Sequence, residues 1–119
     1  MQLRRTPYEV IIEASVSELA TIGQRIATLS QGQSIQLPAV KSHGEERGLV
    51  IQEVTQPFIA WWDEQVGLLV AGSGESLRAF AECFQFNCDP HPGTHNHWDV
   101  SPDEDLIDPG SLPIVVQLK

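Results

Sequence analysis

The chain is poor in the features that mark secreted, membrane-spanning and nucleic-acid-binding proteins. Only two cysteines, Cys83 and Cys88, occur in 119 residues. That is too few for a disulfide framework, and their spacing is not the CxxC of a redox or zinc-ribbon motif. No run approaches the roughly 20 apolar residues that span a bilayer, and the N-terminus lacks the basic-then-apolar order of a signal peptide. A cytoplasmic location is therefore the expectation. Lys and Arg number 7 against 16 Asp and Glu, a net charge of −9. Such a balance repels nucleic-acid phosphates and anionic lipid surfaces, so neither is expected as a partner, whereas a basic protein is compatible with it.

What is present suffices for a core. Apolar residues make up 41 % of the chain and charged residues 19 %, which suits one α+β domain over residues 1–119 that folds without metal or disulfide. Met1 to Pro7 is short and polar and reads as a frayed end. Tyr8, Val10 and Ile12 alternate with Glu9, Ile11 and Glu13, the pattern of a half-buried strand. Ser15 stands three residues before Glu18 in a capping box, and Leu19, Ile22, Ile26 and Leu29 recur at helical spacing, predicting a helix from Val16 to Ser30 with Gly32 as its C-cap. Ser34 to Leu37 resumes a period of two.

Lys41 to Gly48 is polar and reads as an exposed loop. Leu49 to Val54, Phe58 to Trp62 and Leu68 to Ala71 then read as successive antiparallel strands in a meander, the last an inner strand covered on both faces. Leu77, Phe80, Ala81 and Phe84 predict a second helix ending near Phe86, with Ser73 as N-cap and Glu75 favouring its dipole. Between Asn87 and Gly110 there is no Lys or Arg. The final strand, Leu112 to Leu118, contains Pro113, which places it at an edge or starts it there. The predicted fold is a two-layer α+β sandwich, a mostly antiparallel sheet carrying two amphipathic helices in the order strand, helix, four strands, helix, one or two strands.

Three constellations bear on chemistry. On an extended strand His95, His97 and Asp99 share one face while Trp98 and Val100 take the other. With His91 as a further donor, the first three could hold a divalent transition metal, or could simply be a polar outer face. The HxHxD run is similar to the start of the metallo-β-lactamase motif, but Val100 follows where that motif has another His. His95 and His97 are also spaced like the first cupin motif, with Glu104 as a late carboxylate and no second motif. Cys83 lies among Phe80, Ala81 and Phe84, which favours a small core residue over a nucleophile served by His91 or His95. Trp61 and Trp62 are strand neighbours and point to opposite faces, so one leaves the core side. An exposed Trp beside Asp63 and Glu64, together with Asp103, Glu104 and Asp105, would make an aromatic anchor on a surface that steers basic proteins.

His95-x-His97-x-Asp99, followed by Pro102, Leu106, Pro109, Ser111 and Pro113 leading into Ile114-Val115-Val116, resembles a family of bacterial immunity proteins, the thirty-second predicted immunity family of polymorphic toxin systems. The resemblance is clearest over about residues 93–118. It implies a small cytoplasmic antidote, encoded beside a toxin, that protects its producer by binding that toxin, and it transfers no catalytic residue. The sequence thus carries forward a non-enzymatic toxin-binding protein, a small metalloprotein or metalloenzyme built on His95, His97, Asp99 and His91, and a homo-oligomer that pairs sheet edges.

Overall fold

The computed structural model describes residues 1–41, 44–86, 91–99 and 106–119. The fold is α+β. Eight strands, β1 (Gln2–Arg5), β2 (Val10–Ala14), β3 (Ser34–Lys41), β4 (Glu46–Glu53), β5 (Ile59–Asp63), β6 (Gly67–Gly72), β7 (His95–Trp98) and β8 (Ile114–Leu118), form one sheet with two helices, α1 (Val16–Ala27) and α2 (Gly74–Glu82). The strand order is β5-β6-β4-β3-β1-β2-β8-β7. Four neighbouring pairs are antiparallel, and three, β1/β3, β2/β8 and β4/β6, are parallel.

Both helices start as the sequence predicts. The Ser15 side chain accepts from the Glu18 amide and that of Ser73 from the Ser76 amide, satisfying one otherwise unpaired donor at each helix end. Their ends differ from expectation. α1 closes at Thr28, whose hydroxyl donates to the Gln24 carbonyl at 2.9 Å, and Gly32 instead belongs to the following turn. α2 stops at Cys83. The helices cross closely enough that a Cβ on Gly23 would lie 2.8 Å from Phe84 Cβ and 3.0 Å from the Ala81 carbonyl oxygen. Leu19, Ile22 and Ile26 of α1 and Leu77, Phe80 and Ala81 of α2 share one core with Leu3, Ile12, Leu37, Leu49, Ile51, Leu68, Val70, Ile114 and Val116 of the sheet.

Three expectations about the strands need correction. Met1 to Pro7 is not frayed: β1 lies between β2 and β3, and Leu3 is fully buried. The three strands between Leu49 and Ala71 do not form a meander. With β3 they make two hairpins, β3/β4 and β5/β6, joined by the parallel pairing of β4 with β6, so that β5 becomes the edge. The loop after β3 is shorter than Lys41 to Gly48, because Glu46, Arg47 and Gly48 pair with β3. β8 begins immediately after Pro113, one of the two placements that proline allows, and is internal, between β2 and β7.

Eight strands at about 4.8 Å spacing would set the edges of a flat sheet roughly 34 Å apart. Instead Trp98 of β7 lies 5.3 Å, centroid to centroid, from Phe58, the residue before β5, and both rings pack on Phe80. The sheet therefore curls around α2. The segment 106–113 ties the curl by hydrogen bonding along the outer edge of β5 and then entering beside β2. The Phe58 amide donates to the Leu106 carbonyl, the Asp108 amide to the Phe58 carbonyl and the Val10 amide to the Pro113 carbonyl. Within it the buried Ser111 hydroxyl accepts from the Ala60 amide at 2.8 Å. Ser111→Ala leaves that amide unpaired and is expected to cost about 1–2 kcal/mol, read as a lower urea midpoint at unchanged slope; an unchanged midpoint would mean that the edge is not tied there.

Candidate protein-binding face

Alternation along β5 sends its two tryptophans apart. Trp62 shares parity with buried Ala60 and packs against the core. Its ring carries the Lys41 ammonium 5.8 Å above its centroid, and its Nε1 is buried without a hydrogen-bond partner among the described residues. Trp61 points the other way and remains 44 % exposed.

The strand register extends the Trp61 side into a continuous strip. Trp61 pairs with Leu69, Leu69 with Val50, and Val50 with Gln36; in the next row Ile59 pairs with Ala71. Ile59, Leu69, Ala71 and Val50 are all half-exposed and none belongs to the core cluster, which holds the inner faces of both helices. Among the described residues no helix lies over this face. The expectation that Leu68 to Ala71 is covered on both faces is thus corrected: Leu68 and Val70 are buried, while Leu69 and Ala71 look outward. An open face of a sheet ordinarily alternates to polar residues at these positions. Here five apolar side chains occupy them, and Trp61 is the most exposed of the five.

One end of this half-sheet is acidic. The C-termini of β3 and β5 and the N-terminus of β4 bring together Glu45, Glu46, Asp63 and Glu64. Among the described residues the cations there are engaged: Arg47 pairs with Glu45 at 2.9 Å, and Lys41 with Glu64 at 3.5 Å and Glu45 at 3.9 Å. Asp63 Oδ1 accepts from the Val66 and Gln65 amides at 2.9 and 2.8 Å. These bonds, with Arg47 nearby, hold its carboxyl below the usual range and keep it ionised in the turn. Trp61 also borders a surface recess of about 440 Å³ shared with Trp62, Arg5, Glu64 and Leu112, large enough to receive a partner side chain.

The remaining predicted site residues fall elsewhere. His95 and His97 are exposed on the outer face of β7, at the opposite edge of the sheet, while Asn96 and Trp98 turn inward as alternation requires. Asn96 Nδ2 donates to the Cys83 carbonyl at 2.9 Å and so caps the C-terminus of α2. His91 sits in the turn before β7, where its carbonyl accepts from the Thr94 amide, and Asp99 is exposed just after it. Among the described residues no three or more His, Cys, Asp or Glu converge as a metal cluster. Asp103, Glu104 and Asp105 lie outside the described residues, as do Val100 and Cys88.

Cys83 is half-buried against the core. Burial, reinforced by the Glu82 carboxylate, pushes its thiol up to about 11, the reverse of what a nucleophile requires. On a Cys88→Ser background it is expected to react with a disulfide reagent at pH 8 roughly two orders of magnitude more slowly than a free thiol. Ordinary reactivity would contradict the burial described.

No protein-family model, curated protein or solved structure matches this chain. No helix is long and apolar enough to cross a membrane among the described residues.

Proposed function

We propose that this chain is a non-enzymatic, immunity-like protein that binds and neutralises a cognate bacterial toxin, presenting an acidic surface to a basic partner. The observation that carries the proposal is the uncovered strip Ile59, Trp61, Leu69, Ala71 and Val50, which runs to the carboxylate-rich end of the same half-sheet. An exposed tryptophan that continues an apolar strip beside a charged rim is the composition of a binding hot spot. The net charge of −9 supplies long-range attraction for a cationic partner and raises the encounter rate at low salt. The resemblance of the C-terminal third to an immunity family supplies the toxin as the class of partner.

The test is to express the reading frame adjacent to this chain's gene with and without the chain. Rescue of growth and a complex that survives gel filtration are expected. Unchanged toxicity together with no complex in solution would overturn the proposal.

A further inference from the structure

The opposite edge of the sheet carries a second arrangement, independent of the toxin-binding reading. His95 and His97 are two apart on β7 and project from the same outer face. Their rings stand 4.9 Å apart, centroid to centroid, at 81° to one another. The His95 Nδ1 atom lies 3.0 Å from the Gly93 carbonyl oxygen. A carbonyl only accepts, so the neutral ring that makes this contact donates through Nδ1–H and leaves the Nε2 lone pair free. Metal-binding histidines are typically held in this way by a backbone carbonyl, which fixes tautomer and ring orientation.

The carbonyl is itself positioned. The Gly93 amide donates to the Leu118 carbonyl and the Leu118 amide to the Thr94 carbonyl, fastening the turn to β8 directly before His95. The pair is thus set on a hydrogen-bonded strand. On the same face Gln117 stands opposite His95 and Val115 opposite His97. Gln117 is already engaged by the Glu13 carboxylate at 2.8 Å, and Val115 offers no donor.

We infer that His95 and His97 form an open, two-imidazole site for a divalent transition ion of the Ni²⁺, Cu²⁺ and Zn²⁺ class. A centroid separation of 4.9 Å is what two imidazoles have when each directs one nitrogen to a shared ion at about 2.0–2.1 Å. Imidazole ligands favour these ions over Mg²⁺ or Ca²⁺, which take oxygen. Two protein ligands leave the rest of the coordination sphere to water or to an outside donor, so the site is an exchangeable surface chelate. The four-ligand set that includes His91 and Asp99 is not the one the structure brings together.

The test is calorimetric titration of full-length, tag-free protein with Ni²⁺ and, separately, Mg²⁺. One Ni²⁺ per chain and no Mg²⁺ uptake are expected. His95→Ala and His97→Ala should each weaken Ni²⁺ binding about tenfold or more, while His91→Ala leaves it unchanged. Circular dichroism of each variant reports that the fold is retained, which the exposure of both rings favours. Absence of saturable Ni²⁺ binding, indifference to either substitution, or equal weakening by His91→Ala would each overturn the inference. None of these outcomes bears on toxin binding.

Discussion

Gly67→Ala is expected to destabilise the protein by about 3–5 kcal/mol, a large part of a domain's total stability. The cause is the parallel pairing of β4 with β6. At its first register position Gly48 faces Gly67, and the Gly48 amide donates to the Val66 carbonyl at 2.8 Å. Gly67 has φ +118°, and a Cβ built there would sit 2.3 Å from the Gly48 carbonyl oxygen and 2.9 Å from its nitrogen. The obstacle is backbone on a paired strand, so no side-chain rotation relieves it; β4 and β6 must separate or β6 must change its φ. Urea unfolding measures the effect, with a lower midpoint at unchanged slope. A neutral outcome would mean that the two strands do not meet there, and the outward strip of Val50 and Leu69 would lose its basis.

The second large effect concerns binding. Trp61→Ala is expected to weaken the proposed complex with a toxin by about 2 kcal/mol or more, roughly thirtyfold in Kd. The stability of the free protein should change by no more than about 1 kcal/mol, because the ring is 44 % exposed and lies outside the core cluster. Trp62→Ala should behave in the opposite sense. That ring packs against the core, and its removal costs stability first. Glu64→Lys, at a side chain that is mostly exposed, should chiefly slow association, with the difference from the unmodified protein shrinking as salt is added. Equal affinity for the Trp61→Ala and unmodified proteins would place the interface on another surface.

Much of the fold was legible because short-range chemistry and periodicity agree. Ser15 and Ser73 announce their helices, the helical spacing of Leu77, Phe80 and Ala81 matches the buried side of α2, and the two-residue period from His95 to Trp98 correctly separates outward imidazoles from an inward indole. What was not legible depends on partners distant in the chain. β1 is four residues long with one buried apolar side chain, Leu3, so it shows no period, and only β2 and β3 on either side make it a strand. Nothing local tells β4 that its neighbour is β6 rather than β5. That choice rests on two glycines some twenty residues apart that permit a close backbone approach.

The candidate site shows the same division. The opposed tryptophans follow from strand geometry alone, and so does an outward ring beside Asp63 and Glu64. Which ring faces out, and the strip of Leu69, Val50, Ile59 and Ala71 that continues from it, required the register. The signal was nevertheless present in Leu68 to Ala71. A continuous apolar run in a sheet with helices on one side must expose half of its side chains, and reading it as covered twice hid the patch. At the other edge, the outward pairing of His95 with His97 was legible from alternation, but the carbonyl of Gly93 that orients His95 was not.

The central claim is that the outer face of β5, β6 and β4 is where the partner docks, and the three tryptophans report on it directly. Protein labelled with ¹⁵N is titrated with the unlabelled toxin while the indole N–H resonances are followed. The Trp61 resonance is expected to shift strongly at stoichiometric toxin while that of Trp98, turned to the inner side of the sheet against Phe58 and Phe80, stays in place. A complex that moves Trp98 and leaves Trp61 untouched would contradict the account.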